Sequence, residues 1–162
     1  MEERFLIRAA TRADVPGIVR LIRELAIYEK LEDQAVGTPA ALEGHLFGER
    51  PVCEALVAEA GGRAVGFALY FLTFSTFLCK PGLYLEDLFV EPAHRGSGIG
   101  KALLVRLAAL ALERGYGRFE WRVLDWNEPS IRFYESLGAT IMREWLLARV
   151  TGPALRELAS RR

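Results

Sequence analysis

The sequence predicts an α/β (α+β) fold in which helices flank a mixed, mostly antiparallel sheet that contains one parallel strand pair. Three observations predict it. Apolar runs at 52–60 and 64–71 flank Gly61-Gly62, which is a strong indication of an antiparallel hairpin. An apolar, strand-like run at 83–90 leads through a helical pattern to a further strand at 119–124. Such a strand–helix–strand crossover joins parallel strands.

The front of the chain adds a strand and two helices. Residues 4–9 predict the first strand. Thr11, with Asp14 three residues later, predicts the start of a helix whose apolar side chains recur every 3.6 residues. A second helix is expected to begin at the Thr38 cap and to end near Gly48.

The back of the chain continues with helices and a strand. The helix of the crossover covers roughly 98–114. Asn127 caps a helix over 127–137, which Gly138 ends. We expect a strand over 139–150 and a short helix over 153–160. Neither a repeat nor a linker interrupts the pattern, so the 162 residues predict a single domain over 1–162.

Composition excludes several classes of protein. Twenty-one basic residues balance 21 acidic ones, so no charge excess indicates a nucleic-acid partner. The two cysteines, Cys53 and Cys79, lack the spacing of a zinc site or a disulfide framework, and no metal is predicted. The N-terminus lacks the apolar region of a signal peptide, and no apolar run reaches the roughly 18 residues of a membrane span. The sequence therefore predicts a cytoplasmic protein without membrane contact.

The segment HRGSGIGKAL, residues 94–103, lies between the 83–90 strand and the following helix. Glycines allow main-chain N–H groups to approach a ligand closely, and a helix N-terminus favours phosphate. A Walker A loop is excluded because Arg95 replaces its first glycine and Ala102 its hydroxyl residue. The dinucleotide motif fails at Lys101, where it requires a glycine. Two interpretations stay open: a phosphate-binding loop, or a tight turn that serves only strand–helix packing.

Arg95-Gly-Ser-Gly-Ile-Gly100 instead matches the pattern R-x-x-G-x-G. Because of this motif, the chain resembles the GNAT superfamily of N-acetyltransferases. Within that superfamily it resembles the diamine (spermidine/spermine) and thialysine acetyltransferase branch. The resemblance spans roughly residues 5–150. It rests on four blocks in the expected order: LIRELAIYEKLEDQ (21–34), YLEDLFVEP (84–92), HRGSGIG (94–100) and WNEPSIRFYESLGA (126–139).

The resemblance implies a GNAT fold in which the parallel strands splay apart beside a bulge, so that acetyl-CoA binds between them. The pantetheine arm would pair with the end of the 83–90 strand, and the loop would hold the diphosphate. The residues implied to bind acetyl-CoA are Leu88, Phe89, Val90, Arg95, Gly96, Ser97, Gly98, Ile99, Gly100, Lys101, Asn127, Ser130 and Tyr134.

Glu86 and Tyr134 are the candidates for the two proton transfers of the reaction. Glu86-Asp87 interrupts an apolar strand, and because neighbouring strand residues point to opposite faces, at least one carboxylate should face an interior or a cleft. The resemblance makes Glu86 the proton acceptor, through a water, and Tyr134 the acid that protonates the leaving thiolate. The alternatives are salt-bridged structural carboxylates at 86 and 87, a core tyrosine at 134, and a purely capping role for Asn127.

The same resemblance assigns the amine pocket to Tyr28, Glu29, Glu86, Asp87 and Glu144. A solvated helix end is the alternative for the first two. Eukaryotic diamine acetyltransferases carry a longer, Glu-rich segment ending in Glu-Gly-Trp, whereas ATIMREWLLARV here is shorter and lacks that glycine. Glu144 is therefore matched by residue type alone.

The sequence thus predicts an acetyl-CoA-dependent N-acetyltransferase that acts on the primary amine of a small cationic acceptor, such as a polyamine, a diamine or a lysine-like amino acid. Two alternatives stay open. One is a peptide or protein N-acetyltransferase, and the other is an acetyl-CoA-binding module without activity. The resemblance also implies a homodimer.

Overall fold

The computed structural model describes residues 5–161, so Arg4 of the predicted first strand lies outside the described residues. The chain forms two compact units that meet in sequence between Arg122 and Val123. No helix within the described range combines the length and the apolar composition that crossing a bilayer requires.

The first unit is a five-stranded sheet with three helices. Its strands lie in sequence order; the first three pairings are antiparallel, and the last, between β4 and β5, is parallel, as predicted. Its elements are β1 (Leu6–Ala9), α1 (Val15–Tyr28), α2 (Pro39–Phe47), β2 (Glu54–Ala60), β3 (Arg63–Ser75), β4 (Lys80–Val90), α3 (Ile99–Glu113) and β5 (Phe119–Trp121).

The predicted cap acts directly at α2, whereas Thr11 begins a 3-10 turn that precedes α1 and does not cap α1 itself. The Asp14 carboxylate accepts hydrogen bonds from the Thr11 main-chain N–H at 2.7 Å and from its hydroxyl at 2.9 Å. A 3-10 turn over Arg12–Asp14 comes first, and α1 begins after it. Thr38 Oγ1 accepts a hydrogen bond from the Ala41 N–H at 3.2 Å at the start of α2.

Opposite faces of the sheet carry different helices. Phe67, Leu69 and Phe89 belong to a buried cluster with side chains of α1 and α2, so this is the α1 face. Leu88 and Val90 alternate with Phe89 on β4 and point the other way. There a Cβ on Gly100 of α3 would touch their side chains at 3.9 Å and 4.0 Å. The carboxyl end of β4 is thereby enclosed on both sides.

The second unit contains α4 (Glu128–Ser136) and α5 (Gly152–Ser160), both close to their predicted positions. The strand predicted over 139–150 is wrong: this segment contains a turn at 143–144 and otherwise irregular backbone. Its apolar side chains have strand-like composition, but a strand requires a neighbour to pair with. Local bonds such as Arg143 N–H to Ile141 O take that place here.

Candidate active site

The β4–β5 pair stops well before β4 does. Its register runs from Leu83 opposite Phe119 to Leu85 opposite Trp121, where β5 ends. Residues 86–90 of β4 therefore extend beyond the last residue of β5. This is the limited parallel pairing expected of a splayed strand pair, although β5 is shorter than the predicted 119–124.

A bulge occurs in β4 at Glu86. Leu85 lies opposite Tyr70 and Asp87 opposite Leu69, so Glu86 is the extra residue of its strand. Bulges re-aim side chains by breaking the alternation of a strand. The bulge implied by the resemblance is thus present, one residue before Asp87.

The bulge brings Asp87 to the α1 face. Residues directly opposite each other in a sheet point to the same side. Leu69 belongs to the buried cluster on the α1 face. Asp87, which lies opposite Leu69, therefore points to the α1 face as well. The cluster is apolar, which is an unfavourable surrounding for a charge.

Asp87 is the carboxyl group of this site whose acidity changes most clearly. Burial, together with the negative charges of Glu86 and Glu29, raises the pKa of Asp87 to about 6. Glu29, directly after α1, also has a pKa raised by burial. Asp87 therefore changes charge close to neutral pH.

Glu86 differs from its neighbour. Its side chain is 44% exposed, and Oε2 lies 3.9 Å from Arg122 Nη2. Of the two predicted carboxylates, Asp87 is thus the one that faces the interior. Glu86 lies at the solvent edge of the site.

The glycine loop has the backbone that its sequence predicts. Gly96 and Gly98 adopt φ values of +79° and +88°, a region that side chains with a Cβ rarely occupy. The loop from Arg95 to Gly98 is exposed, and Ile99 is buried. The first i→i−4 bond of α3 runs from Ala102 N–H to Gly98 O. The N–H groups of residues 99–101 precede that bond, so they are the donors that a helix N-terminus offers to an anion.

Arg95 lies between two rings instead of extending along the loop. Its Nε donates to Val90 O at 3.0 Å, and its guanidinium carbon lies 5.2 Å from the Tyr28 ring centroid and 5.3 Å from that of Phe89. These three side chains line a pocket of about 310 Å³ together with Glu24, Ile27 and Pro92. Arg95 thus connects the predicted cofactor strand to the predicted amine residue Tyr28.

A charged cluster that the sequence did not reveal supports the 3-10 turn over Pro92–His94, which is the turn before the loop. Glu91, whose side chain is only 9% exposed, lies 2.5 Å from Arg20 and accepts two hydrogen bonds from Arg63 at 2.6 Å and 2.7 Å. His94 Nδ1 lies 3.3 Å from the same carboxylate. The His94 side chain is only 12% exposed and lies against Glu91.

The second unit carries the remaining predicted residues. Asn127 is buried, and its Oδ1 accepts a hydrogen bond from Ser130 N–H at 3.4 Å, which is the predicted cap of α4. Tyr134 is half-buried on α4, next to the Phe133 ring at a centroid distance of 5.6 Å. Glu144 is exposed in the turn at 143–144.

Residues 5–161 contain no group of three His, Cys, Asp or Glu side chains that could hold a metal ion.

Comparison with known proteins agrees with this architecture. The model of the acetyltransferase (GNAT) family matches residues 22–139, and the chain belongs to this family. It is therefore an acetyl-transferring enzyme of a family that uses acetyl-CoA as donor.

Relatives cover nearly the whole chain. A thialysine N-epsilon-acetyltransferase from Sus scrofa is 41% identical, over 96% of this chain and 98% of its own length. An L-ornithine N5-acetyltransferase from Arabidopsis thaliana is 34% identical, over 94% of this chain and 86% of its own. Among solved structures, an integron cassette protein from the V. cholerae mobile metagenome superimposes with a TM-score of 0.82 at 28% identity, covering 99% of both chains.

Proposed function

We propose that the enzyme transfers the acetyl group of acetyl-CoA directly to the primary amine of a small cationic acceptor, such as a polyamine, a diamine or a lysine-like amino acid. The observation that carries this proposal is the pair of carboxyl groups at the bulge of β4, Glu86 and Asp87, with Glu29 at the end of α1 near enough for its charge to raise the pKa of Asp87. Negative charges in a partly desolvated site favour an ammonium group. The relatives named for thialysine and L-ornithine support the same class of acceptor.

The donor end of the proposed site is the carboxyl end of β4 with the glycine loop. The main chain of Leu88, Phe89 and Val90 pairs with the pantetheine arm, and the Leu88 N–H polarises the thioester carbonyl. The loop fits a diphosphate: a methyl group added to Gly96 or Gly98 would meet open space among the described residues. Their positive φ values, and not crowding, therefore explain the glycines. The diphosphate is held by residues 95–101: Arg95, Gly96, Ser97, Gly98, Ile99, Gly100 and Lys101.

The acceptor end must remove a proton, because an alkyl ammonium has a pKa of about 10 and its lone pair is occupied at neutral pH. The Glu86–Asp87 pair takes this proton. Asp87 has the pKa nearest to a working pH, as a general base requires. Glu86 is the exposed carboxylate that meets the incoming ammonium, with a water between them where the proton passes on.

The other roles follow the family pattern. Tyr134 protonates the leaving thiolate, and a phenol with a pKa of about 10 is a suitable acid for a thiol of about 8.5. Asn127 and Ser130 cap α4 and contact the cofactor. Tyr28, Glu29 and Glu144 complete the amine pocket.

The two units act in this proposal as one catalytic domain over 1–162. The family match from 22 to 139 runs across the boundary between Arg122 and Val123, which supports it. We also propose that the enzyme acts in the cytoplasm and that it forms a homodimer, and the family resemblance implies the homodimer. Light scattering coupled to size-exclusion chromatography at micromolar concentration should then give a mass twice that of one chain.

Thiol release from acetyl-CoA, measured with a panel of polyamines, diamines, basic amino acids and lysine-containing peptides, tests the acceptor class. We expect turnover with small amines and little with peptides. Preferential turnover of peptides would contradict the small-amine proposal. Coenzyme A binding without thiol release for any amine would indicate a binding module.

A further inference from the structure

Arg122 brings a positive charge to the carboxylates of the bulge. It directly follows β5, and its guanidinium carbon lies 5.5 Å from the centroid of the Tyr84 ring. Its Nε donates a hydrogen bond to the Tyr84 hydroxyl. The ring and the hydroxyl of one tyrosine therefore fix the guanidinium beside Glu86.

Arg122 keeps donors available beyond these contacts. Its Nη2 is 3.9 Å from Glu86 Oε2, which is too long for a hydrogen bond. Among the described residues, its one hydrogen bond is that from Nε to Tyr84, whereas a guanidinium carries five N–H donors. The side chain is 49% exposed, so the two Nη groups are accessible from solvent. A planar guanidinium of this kind matches a carboxylate with two parallel hydrogen bonds.

We propose that Arg122 binds a carboxylate of the acceptor, so that the preferred acceptors are amino acids with a primary amine on the side chain and not diamines or polyamines. This inference rests on the proposed function. The side-chain ammonium meets Glu86 and Asp87, while the carboxylate at the other end of the acceptor meets Arg122. A diamine would instead present a second ammonium to the guanidinium, and like charges in a partly desolvated site oppose binding.

A purely structural role for Arg122 makes a different prediction. If the guanidinium only holds Glu86 in place, its removal should impair every acceptor to the same degree. Pairs of acceptors that differ only by the carboxylate separate these roles: L-lysine against cadaverine, and L-ornithine against putrescine.

The test measures kcat and KM for both pairs with the wild-type chain and with Arg122→Met, Arg122→Lys and Arg106→Met. Arg106 is a matched control, because it is an arginine of similar exposure that pairs with Glu113 on the surface of α3. We expect the wild type to prefer the amino acids. Arg122→Met should lower their kcat/KM about 10- to 100-fold, chiefly through KM, which is the range for a lost hydrogen bond to a charged group. The diamines should be unaffected or improved, Arg122→Lys should retain part of the preference, and Arg106→Met all of it.

Three results would overturn the inference. In the first, the wild type prefers the diamines. In the second, Arg122→Met impairs both members of each pair equally. In the third, the variant, shown to be folded by its melting temperature, keeps the preference for amino acids. All three leave the proposed function intact, whereas failure of every small amine in the wild type would remove the proposed function as well. If Arg122→Met does not fold, the wild-type preference and Arg122→Lys still decide the outcome.

Discussion

Asp87 lies directly opposite Leu69 across the β3–β4 pair, so the bulge at Glu86 places a carboxyl group against a buried core residue. Without the extra residue the strand would keep its alternation, and position 87 would point to the opposite face. One inserted residue therefore determines which carboxyl group of the Glu86–Asp87 pair is desolvated.

The acidity of Asp87 predicts the pH dependence of the enzyme. A base must be ionised, and burial raises the pKa of Asp87 to about 6, so kcat/KM should fall as the pH decreases through about 6. Asp87→Asn should abolish this acidic limb and lower activity at pH 7.5. Glu86→Gln removes a negative charge that raises the pKa of Asp87, so it should move the limb to lower pH. Rates of thiol release between pH 5 and 8 measure both effects.

The same two variants identify the base if Asp87 is not the proton acceptor. A limb that disappears in Glu86→Gln but persists in Asp87→Asn would assign proton removal to Glu86, as the family resemblance alone implies.

The proposed acid Tyr134 makes a separate prediction. Tyr134→Phe removes only the hydroxyl from a half-buried ring, so packing in α4 should be preserved. We expect kcat to fall about tenfold or more, as for loss of a general acid, while the Kd for acetyl-CoA measured by calorimetry stays nearly the same. Tyr116→Phe, outside the proposed site, is the control. Unchanged turnover in Tyr134→Phe would contradict the acid role and would mean that Tyr134 contributes only to packing.

Local patterns predicted the parts of the fold that depend on neighbours in sequence. The hairpin at Gly61-Gly62, the caps at Thr38 and Asn127, and the loop before α3 all follow from the backbone preferences of a few residues. The strand predicted from composition at 139–150 is absent, because strand formation depends on a pairing partner as well as on apolar side chains.

The electrostatics of the site could not be predicted in this way. The bulge at Glu86 breaks the alternation from which side-chain directions are read, and only the resemblance implied it. Arg122 lies far from Glu86 in sequence, and Arg20 and Arg63 are also remote from Glu91. Such contacts depend on the packed sheet, so no spacing in the sequence indicates them.

Gly98 provides a test of the loop backbone. Gly98→Ala places a Cβ at a φ of +88°, at a cost of about 1–2 kcal/mol, and the strain should turn the main-chain donors of α3 away from the diphosphate. We expect the Kd for acetyl-CoA to rise about tenfold, which corresponds to about 1.4 kcal/mol. Gly62→Ala is a matched control, because Gly62 has a φ of +76° in the β2–β3 hairpin. It should lose similar stability without weakening acetyl-CoA binding. An equal loss of affinity in both variants would contradict the assignment of the loop.

Glu91 predicts how stability depends on pH. Hydrogen bonds from Arg63, and then from Arg20, hold the pKa of Glu91 below its usual range. The unfolded chain therefore takes up the Glu91 proton first as the pH falls. The stabilisation is present above the ordinary pKa of a glutamic acid and is lost as the pH falls through the lowered value.

Glu91→Gln should thus lower the free energy of unfolding at pH 7 by about 1–3 kcal/mol, less than for a fully buried ion pair because both arginines are partly exposed. The difference from the wild type should shrink below pH 4, where the wild-type carboxylate is protonated too. Urea unfolding at pH 7 and pH 3.5 measures both values, with the exposed Glu113→Gln as a control expected to change stability by less than about 0.5 kcal/mol. A difference that stays constant between the two pH values would show that the charge of Glu91 does not stabilise the turn before the loop.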